Sequence, residues 1–404
     1  MEGSTQKNTG SKARILCVWE LGGNLGHLTS LRLFVDQALE RGHHVTVALR
    51  ELQYVDTVFE GCDVDIFQAP YLRLPIRPEL PRIISYVEMV IRQAFSCVGQ
   101  LQSLTAAWKN LFRVTQPDLV IYDHSPTALI ASSGARWKKW VIGSGFLIPQ
   151  QDEFLGMFPG TPKSEANAIR LRESEQLALD MINQVLKAEG EDIWASLGPW
   201  FDQCDQQLFL TLPETDHYGA RHGGQYLGVK QYQGGATPSW PARASDKRHA
   251  KIFVYVNEFP GLDQLLAELL ERQARVIVYC KNLSLLLRQK YQSQIEFADV
   301  AQDLKAICEQ ADYLVSNANH GTVIVAYVAG LPQLFIPLQQ EQYLLAKRVS
   351  QSSPCLIESP TATNYHNVIA QLFSLSRTTN RLSLVSSPEL VSERIAAVFK
   401  LYDW

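Results

Sequence analysis

The 404-residue sequence lacks the features that mark several specialised classes of protein. No apolar run is long enough to cross a bilayer, and the polar residues 1–12 contain no apolar signal-peptide core. The seven cysteines are scattered and include no CxxC pair, which argues against a disulfide framework or a zinc knuckle. The net charge of −4 provides no basic field for nucleic acid or anionic membranes. We therefore predict a cytoplasmic protein with no nucleic-acid partner, no transmembrane segment and no bound metal ion; its oligomeric state stays open.

Length and composition favour a soluble protein of two domains. A chain of this length exceeds what one compact core normally organises, and its 46% hydrophobic and 19% charged residues are ordinary for a globular protein. Glycine and proline become frequent between about residues 213 and 249, where apolar runs are few. This change predicts an N-terminal domain over 1–215, a linker over 216–248 and a C-terminal domain over 249–385, followed by an amphipathic helix within 386–404.

Short apolar runs alternate with helical patterns in both halves, which indicates an α/β fold. In the first half, a strand over 14–18 leads into a glycine-rich loop, Gly22 to His27, and then into a helix. Open α/β sheets bind ligands at the carboxyl ends of their strands, which is where this loop lies. The sequence predicts further strands at 44–48, 65–68, 119–122, 140–142, 252–256, 276–279, 295–297, 313–316 and 333–336. It predicts further helices over 80–114, 164–187, 263–271 and 304–310.

The second half contains a strand, a glycine turn and a helix start in immediate succession. The predicted strand 313–316 is followed by His320, Gly321 and Thr322. Unpaired N–H groups in the first turn of a helix, together with the positive end of its dipole, bind anions such as a diphosphate. Glu341 and Gln342 follow the next strand in what we interpret as a loop, where an acid and an amide can hold sugar hydroxyls. This combination predicts a nucleotide-sugar site, although the same residue types also favour ordinary helix starts.

In order and spacing, several segments together resemble the family-1 glycosyltransferases of the GT-B fold, which include UDP-glycosyltransferases and the bacterial macrolide-type and rhamnosyl-type enzymes. The resemblance spans nearly the whole chain. The matching segments are Gly26-His27-Leu28, Arg41 to Val45, Pro117 to Asp123, Pro213 to Tyr218, Tyr226 to Gly228, and His320 to Gln342. The resemblance implies two Rossmann-like domains that face each other across a cleft, with a C-terminal helix that crosses back to the N-terminal domain.

The resemblance implies catalytic roles at the N-terminal loop. The histidine of the family's Gly-His motif is the base that deprotonates the acceptor, and it is matched by His27; the aspartate that holds its ring is matched by Asp123. An orienting carboxylate fixes the imidazole tautomer and stabilises the protonated ring. The alternative from the residues alone is that His27 caps its helix and Asp123 merely ends a strand. We interpret the adjacent His124 as a solvated loop histidine.

The resemblance also implies a donor site in the C-terminal domain. Its residues would be Asn317, Asn319, His320, Gly321 and Thr322 for the diphosphate, Glu341 and Gln342 for the sugar, and Phe297 for the base, unless Phe297 is simply a core residue. Asn317 replaces a histidine that contacts the phosphates in the family, and Asn319 stands where glycine is usual. Because asparagine carries no positive charge, its presence is expected to weaken diphosphate binding by ~1–3 kcal/mol.

The acceptor is expected to bind to the N-terminal domain. The candidate residues are Asn24, Tyr86, Met89, Phe146 and Phe158. Their mainly apolar and aromatic character suits a hydrophobic acceptor, with ordinary packing as the alternative.

The resemblance implies an inverting glycosyltransferase that moves a sugar from a UDP-sugar or dTDP-sugar to a hydroxyl of a small lipophilic or aromatic acceptor. The nucleotide sugar is a co-substrate, and no cofactor or metal ion is expected. A non-catalytic GT-B binding subunit or pseudoenzyme is the main alternative, because it would explain Asn317-Ala318-Asn319. A sugar-nucleotide epimerase is a further alternative, but Gly26-His27 fits it poorly.

Overall fold

The structure, a computed structural model, describes residues 12–23, 25–75, 81–150, 155–229, 235–242, 249–378 and 388–402. The chain divides into two compact units. The first comprises Met1–Leu210, Gly223–Leu227 and Glu389–Trp404, and the second comprises Thr211–His222 and Gly228–Pro388. None of the described helices is long and apolar enough to span a membrane.

The first unit is built on a sheet of seven parallel strands in the order β3-β2-β1-β4-β5-β6-β7. These strands are β1 Arg14–Trp19, β2 His44–Leu49, β3 Val64–Gln68, β4 Leu119–Asp123, β5 Lys138–Gly143, β6 Gln206–Phe209 and β7 Gln225–Tyr226. The chain leaves β1 towards one side of the sheet and later returns to β4 on the other side. Open α/β sheets bind ligands beside such a reversal of strand order, at the carboxyl ends of the strands.

Helices cover this sheet because their apolar faces repeat at helical spacing. They are α1 Leu25–Glu40, α2 Val55–Val58, α3 Tyr86–Gln93, α4 Val98–Thr115, α5 Pro126–Ala131, α6 Glu165–Glu189 and α7 Pro199–Asp202. The helix predicted over 80–114 is two helices where the structure describes it, since α3 ends at Gln93 and α4 starts at Val98. Ser85 begins α3 by accepting the Glu88 backbone N–H, which is an ordinary helix cap.

The second unit is built on six parallel strands in the order β10-β9-β8-β11-β12-β13. The strand order again reverses, here between β8 and β11, which are the first and fourth strands of this sheet in the chain. They are β8 Lys251–Tyr255, β9 Arg275–Tyr279, β10 Glu296–Ala298, β11 Tyr313–Ser316, β12 Gln333–Phe335 and β13 Cys355–Ile357. The helices are α8 Leu262–Glu271, α9 Leu285–Tyr291, α10 Leu304–Gln310, α11 His320–Val328, α12 Gln340–Val349 and α13 His366–Ser374.

The last described helix, α14 Pro388–Lys400, belongs to the first unit from Glu389 onwards. Its Phe399 is fully buried and packs edge-on against Trp140 of β5, with ring centroids 4.9 Å apart. Strands β6 and β7 also complete this unit, although β6 was not predicted and β7 lies in the predicted linker. Both are short: β6 pairs with β5, which is distant in the sequence, and β7 pairs with β6, so local periodicity gave no sign of them.

Candidate functional site

The reversal point of the first sheet brings two predicted site residues together. Strand β1 ends at Trp19, which lies directly opposite Asp123 at the end of β4. His27 lies in the first turn of α1, the helix that follows β1. Its Nδ1 is 3.0 Å from Asp123 Oδ1. The sequence places these two residues far apart, and only the pairing of β1 with β4 makes them neighbours.

The His27–Asp123 pair is largely shielded from water. The Asp123 side chain is 2% exposed and the His27 side chain 15% exposed. Burial raises the pKa of Asp123, and the nearby His27 opposes that rise. A carboxylate at Nδ1 favours the tautomer that donates Nδ1–H to it, which leaves the lone pair on Nε2. This arrangement can accept a proton at Nε2 and stabilise the resulting imidazolium.

Packing holds the His27 ring in one place. The Trp19 indole lies nearly parallel to it, with centroids 5.1 Å apart. Gly22, which has a φ of +90°, lies against Nε2, and a Cβ at Gly22 would come closer than 3.0 Å to that nitrogen. Gly22 therefore meets two needs at once, a left-handed backbone and room for the imidazole.

Two further buried groups at this edge were not predicted to take part. Glu20 follows β1, is fully buried, and accepts the Thr127 backbone N–H at 2.9 Å and its hydroxyl at 2.6 Å. Burial raises the pKa of Glu20 to about 7. The expectation that His124 is solvated is wrong, because it is 5% exposed. The chain turns inward after β4, which a strand-end position in the sequence does not indicate.

The predicted acceptor-binding residues are all deeply buried where the structure describes them. Phe146 and Phe158 stack on each other with centroids 5.1 Å apart, and Met89 is 5% exposed. Tyr86 lies against the His124 ring at a centroid distance of 6.1 Å, beside the residue that follows Asp123. Asn24 lies outside the described residues. Acceptor binding by these residues stays a prediction.

In the second unit, α11 begins at His320, with Asn319 as the residue before it. The backbone N–H groups of His320, Gly321 and Thr322 lie in the first turn, where a helix provides no internal partner. His320 Nε2 is 2.9 Å from Thr211 Oγ1. Burial lowers the pKa of His320 to about 4, so the ring is neutral near pH 7. First-turn N–H groups of this kind can bind an anion, and diphosphate binding by them stays a prediction.

Thr211 and His217, which contact His320, were not predicted to take part. The His217 ring stacks on that of His320 with centroids 6.1 Å apart. Nearby, the buried Asp216 pairs with Arg221 at 2.9 Å. The sequence offered only the resemblance of Pro213 to Tyr218 as a signal, because the contacts join residues about a hundred positions apart.

The Asn317 side chain forms hydrogen bonds with the backbone at the ends of neighbouring strands. It is fully buried, its Oδ1 accepts the Asn257 backbone N–H at 2.6 Å, and its Nδ2 donates to the Ile336 carbonyl at 2.8 Å. These bonds join the chain just beyond β8 and β12 to the end of β11. The amide therefore braces the strand ends at the reversal point of the second sheet.

Glu341 and Gln342 lie in the first turn of α12, so their prediction as loop residues is wrong. Gln342 Oε1 accepts the Leu338 and Gln339 backbone N–H groups at 2.8 and 3.1 Å. Its Nε2 donates to Asn319 Oδ1 at 3.0 Å. Gln342 thus connects the starts of α11 and α12, while Glu341 is partly exposed beside it.

Phe297 belongs to the buried core of the second unit and is 9% exposed. The Arg288 guanidinium lies over its ring at 6.0 Å. Stacking on a nucleotide base stays a prediction. Among the described residues, no group of three or more His, Cys, Asp or Glu side chains is arranged to hold a metal ion.

Comparison with protein-family models gives no match, and comparison with curated protein sequences gives none either. Comparison with solved structures gives matches over almost the whole chain. The calicheamicin glycosyltransferase CalG4 has a TM-score of 0.64 at 12% identity, over 96% of this chain and 95% of that one. The spinosyn rhamnosyltransferase SpnG has a TM-score of 0.61 at 13% identity, over 96% and 99%. The glycosyltransferase SnogD from Streptomyces nogalater has 0.60 at 16%, over 97% and 100%.

At such low identity the likeness establishes architecture rather than activity. Both units have the parallel sheets and strand orders of Rossmann-like α/β folds. The chain has the GT-B fold of these glycosyltransferases.

Proposed function

We propose that this protein is an inverting glycosyltransferase that moves a sugar from a nucleoside-diphosphate sugar to a hydroxyl of a small lipophilic or aromatic acceptor. The donor class is a UDP-sugar or a dTDP-sugar. SpnG has been solved with thymidine diphosphate, and the glycosyltransferase VinC, another solved structure to which this chain is similar, has been solved with dTDP. Both observations favour a deoxythymidine nucleotide here. The proposed reaction uses no metal ion and no cofactor besides the donor.

The observation that carries the proposal is the buried 3.0 Å contact between His27 Nδ1 and Asp123 Oδ1. In the proposed reaction, His27 Nε2 removes the acceptor proton while the acceptor oxygen attacks C1 of the sugar. The acceptor oxygen approaches C1 on the face opposite the diphosphate, and the bond between C1 and the diphosphate oxygen breaks as the new bond forms, so the configuration at C1 inverts. Asp123 stabilises the imidazolium that forms, and a positioned base of this kind contributes roughly 10²–10⁴-fold in rate.

The departing diphosphate needs preorganised positive potential. We assign this role to the first-turn N–H groups of α11 at His320, Gly321 and Thr322, because a helix start attracts anions. Asn319 and Gln342 hold that helix start against α12 through their 3.0 Å hydrogen bond. Glu341 is the residue we assign to the donor sugar. In this proposal Asn317 supports the site through its strand contacts rather than by contacting the phosphates.

The proposal is tested by donor binding followed by transfer. UDP, dTDP, GDP and ADP are compared by thermal shift and calorimetry, and their sugars are then assayed with a panel of phenolic and polyketide acceptors. His27→Ala should lower turnover by at least 10²-fold while nucleotide binding persists. His44→Ala is the matched control, since His44 is exposed and lies at the start of β2. Turnover of His27→Ala within a few fold of the control would refute the base assignment.

A second candidate is a GT-B binding protein without transferase activity. The structural use of the Asn317 amide favours it, because no charged side chain stands at the position where the family has its phosphate-contacting histidine. This candidate predicts either no nucleotide binding or binding without turnover of any sugar nucleotide. Sugar transfer that depends on His27 would exclude it.

A further inference from the structure

His124 follows the strand that ends in Asp123, and its environment is unusual for a histidine. The residue is 5% exposed and has a φ of +42°, a region that few non-glycine residues adopt. The backbone is held there because the His124 carbonyl accepts the Leu21 N–H at 3.0 Å. A strained backbone of this kind persists when the surrounding structure enforces it, and such residues cluster at functional sites.

The His124 ring has unmet hydrogen-bonding capacity. Neither ring nitrogen makes a hydrogen bond with any described residue. The Leu21 carbonyl, which accepts the Trp19 indole N–H at 2.6 Å, also lies near the ring and raises its pKa slightly. A carbonyl oxygen can accept a hydrogen bond only from the ring nitrogen that carries a proton. The other nitrogen of a neutral imidazole has a lone pair and needs a donor. This second nitrogen is a buried acceptor that has no donor among the described residues.

The protonation state of His124 suits this role. Burial, with a smaller contribution from the charge of His27, lowers the pKa of His124 to about 3. The ring therefore stays neutral near pH 7 and keeps its lone pair. A buried polar group without a partner destabilises the fold, and a ligand hydroxyl would relieve that cost.

The neighbours of His124 indicate which ligand this is. Its ring centroid lies 6.1 Å from that of His27 with the planes 25° apart, and 6.1 Å from that of Tyr86. A group bound to His124 would therefore lie beside a hydroxyl positioned at His27. We propose that His124 is an acceptor-binding residue that accepts a hydrogen bond from a second hydroxyl of the acceptor, so that acceptors with two adjacent hydroxyl groups are preferred. This inference rests on the proposed function, since it takes the His27 edge as the acceptor site.

The test compares 2,3-dihydroxynaphthalene with 2-naphthol, which differ by one hydroxyl. Affinity is measured by calorimetry without donor, and kcat/KM is measured with the donor found for the native protein. The native protein should favour the diol by about 10-fold, the scale of one buried hydrogen bond. His124→Phe keeps a ring but removes both nitrogens, and the preference should fall to near unity. His124→Asn suits a left-handed backbone and keeps a carbonyl acceptor, so part of the preference should return.

Thermal unfolding separates binding from a structural role. If His124 serves a ligand, His124→Phe should unfold at the same temperature as the native protein or higher, because two unpaired buried nitrogens are removed. A lower unfolding temperature together with an unchanged diol preference would overturn the inference. Equal affinity and equal kcat/KM of the native protein for the two compounds, or no binding of either compound, would also overturn the inference.

Failure of the proposed function would look different. A diol preference in calorimetry that disappears in His124→Phe would support the inference even if no donor gave transfer. Transfer that depends on His27 but shows no diol preference would leave the proposed function intact and overturn the role of His124.

Discussion

Replacement of Gly22 by alanine should disable the proposed base while leaving the His27 and Asp123 residues themselves unchanged. A Cβ at Gly22 would lie under 3.0 Å from His27 Nε2 and 3.2 Å from both Cδ2 and Cε1, whereas ordinary van der Waals contact begins near 3.4 Å. The imidazole must therefore retreat by roughly 0.5–1 Å to restore normal contact. Trp19 packs against the ring, and Asp123 is bonded to it at 3.0 Å, so that retreat disturbs the geometry of the pair.

Two effects follow and can be separated. The φ of +90° at Gly22 is unfavourable for alanine, which should lower the free energy of unfolding by about 1–3 kcal/mol. Displacement of the base by about 1 Å should lower kcat by roughly 10²-fold. Donor binding should change little, because the first-turn N–H groups proposed to hold the diphosphate lie in the second unit.

Two glycines provide matched controls. Gly42 has a φ of +76° and no atom within 4 Å of an added Cβ, so Gly42→Ala should lose stability but keep kcat. Gly23 has open space around its Cβ position and no left-handed φ, so Gly23→Ala should lose little of either. Stability is followed by denaturant unfolding, the pair by the imidazole N–H proton resonance of His27, and activity by sugar transfer. An unshifted resonance in Gly22→Ala, or a kcat within a few fold of Gly42→Ala, would refute the steric argument.

Three further predictions concern stability. Burial raises the pKa of Glu175 to about 7, so the folded protein holds a proton that the unfolded chain loses between the ordinary pKa of glutamate and pH 7, and the native protein loses stability as the pH rises through that window. Glu175→Gln removes this loss and should be stabilised relative to the native protein by about 1–3 kcal/mol more at pH 8 than at pH 4. The exposed control Glu173→Gln should show no such difference, and equal pH profiles of the two variants in urea unfolding would contradict the prediction. Asn317→Ala leaves two backbone groups unpaired and should lose about 3 kcal/mol in the second unit by calorimetric unfolding. Arg221→Met uncovers the buried Asp216 charge and should lose about 3 kcal/mol, whereas Arg221→Lys keeps a cation beside Asp216 and should lose less; equal losses in the two variants would contradict that cause.

Short-range patterns were sufficient for most of the framework. Alternation of apolar strands with amphipathic helices predicted α1, β2, β4, β11 and α10 within a few residues, because each buries a continuous face whose period is visible locally. Elements with weak periodicity were missed. Strands β6 and β13 are short and depend on distant partners, and helix α13 has few buried residues.

The candidate site at the end of β1 and β4 could be predicted from the sequence only in part. A glycine-rich loop after the first strand and an aspartate at the end of another strand could both be located by pattern, and the resemblance paired His27 with Asp123. Gln342 belongs to a helix start rather than a loop, and its side chain caps α12 by accepting the Leu338 and Gln339 backbone N–H groups. Its further hydrogen bond to Asn319 at the start of α11 joins distant segments, which no local pattern specifies.

The amino-acid sequence was enough to identify two α/β units, the glycine-rich segment that leads to His27 and the helix start at His320, because these depend on periodicity and on residue types near in the chain. It placed His27 in a loop, whereas His27 lies in the first turn of α1. Tertiary structure alone decided which buried groups surround them. The pairing of β1 with β4 places Asp123 beside Trp19, and the His124 ring lies buried beside that of His27. The Asn317 side chain joins the ends of three strands through its two hydrogen bonds. Burial and hydrogen bonding are properties of contacts between distant segments, and the roles of these polar residues follow from those contacts.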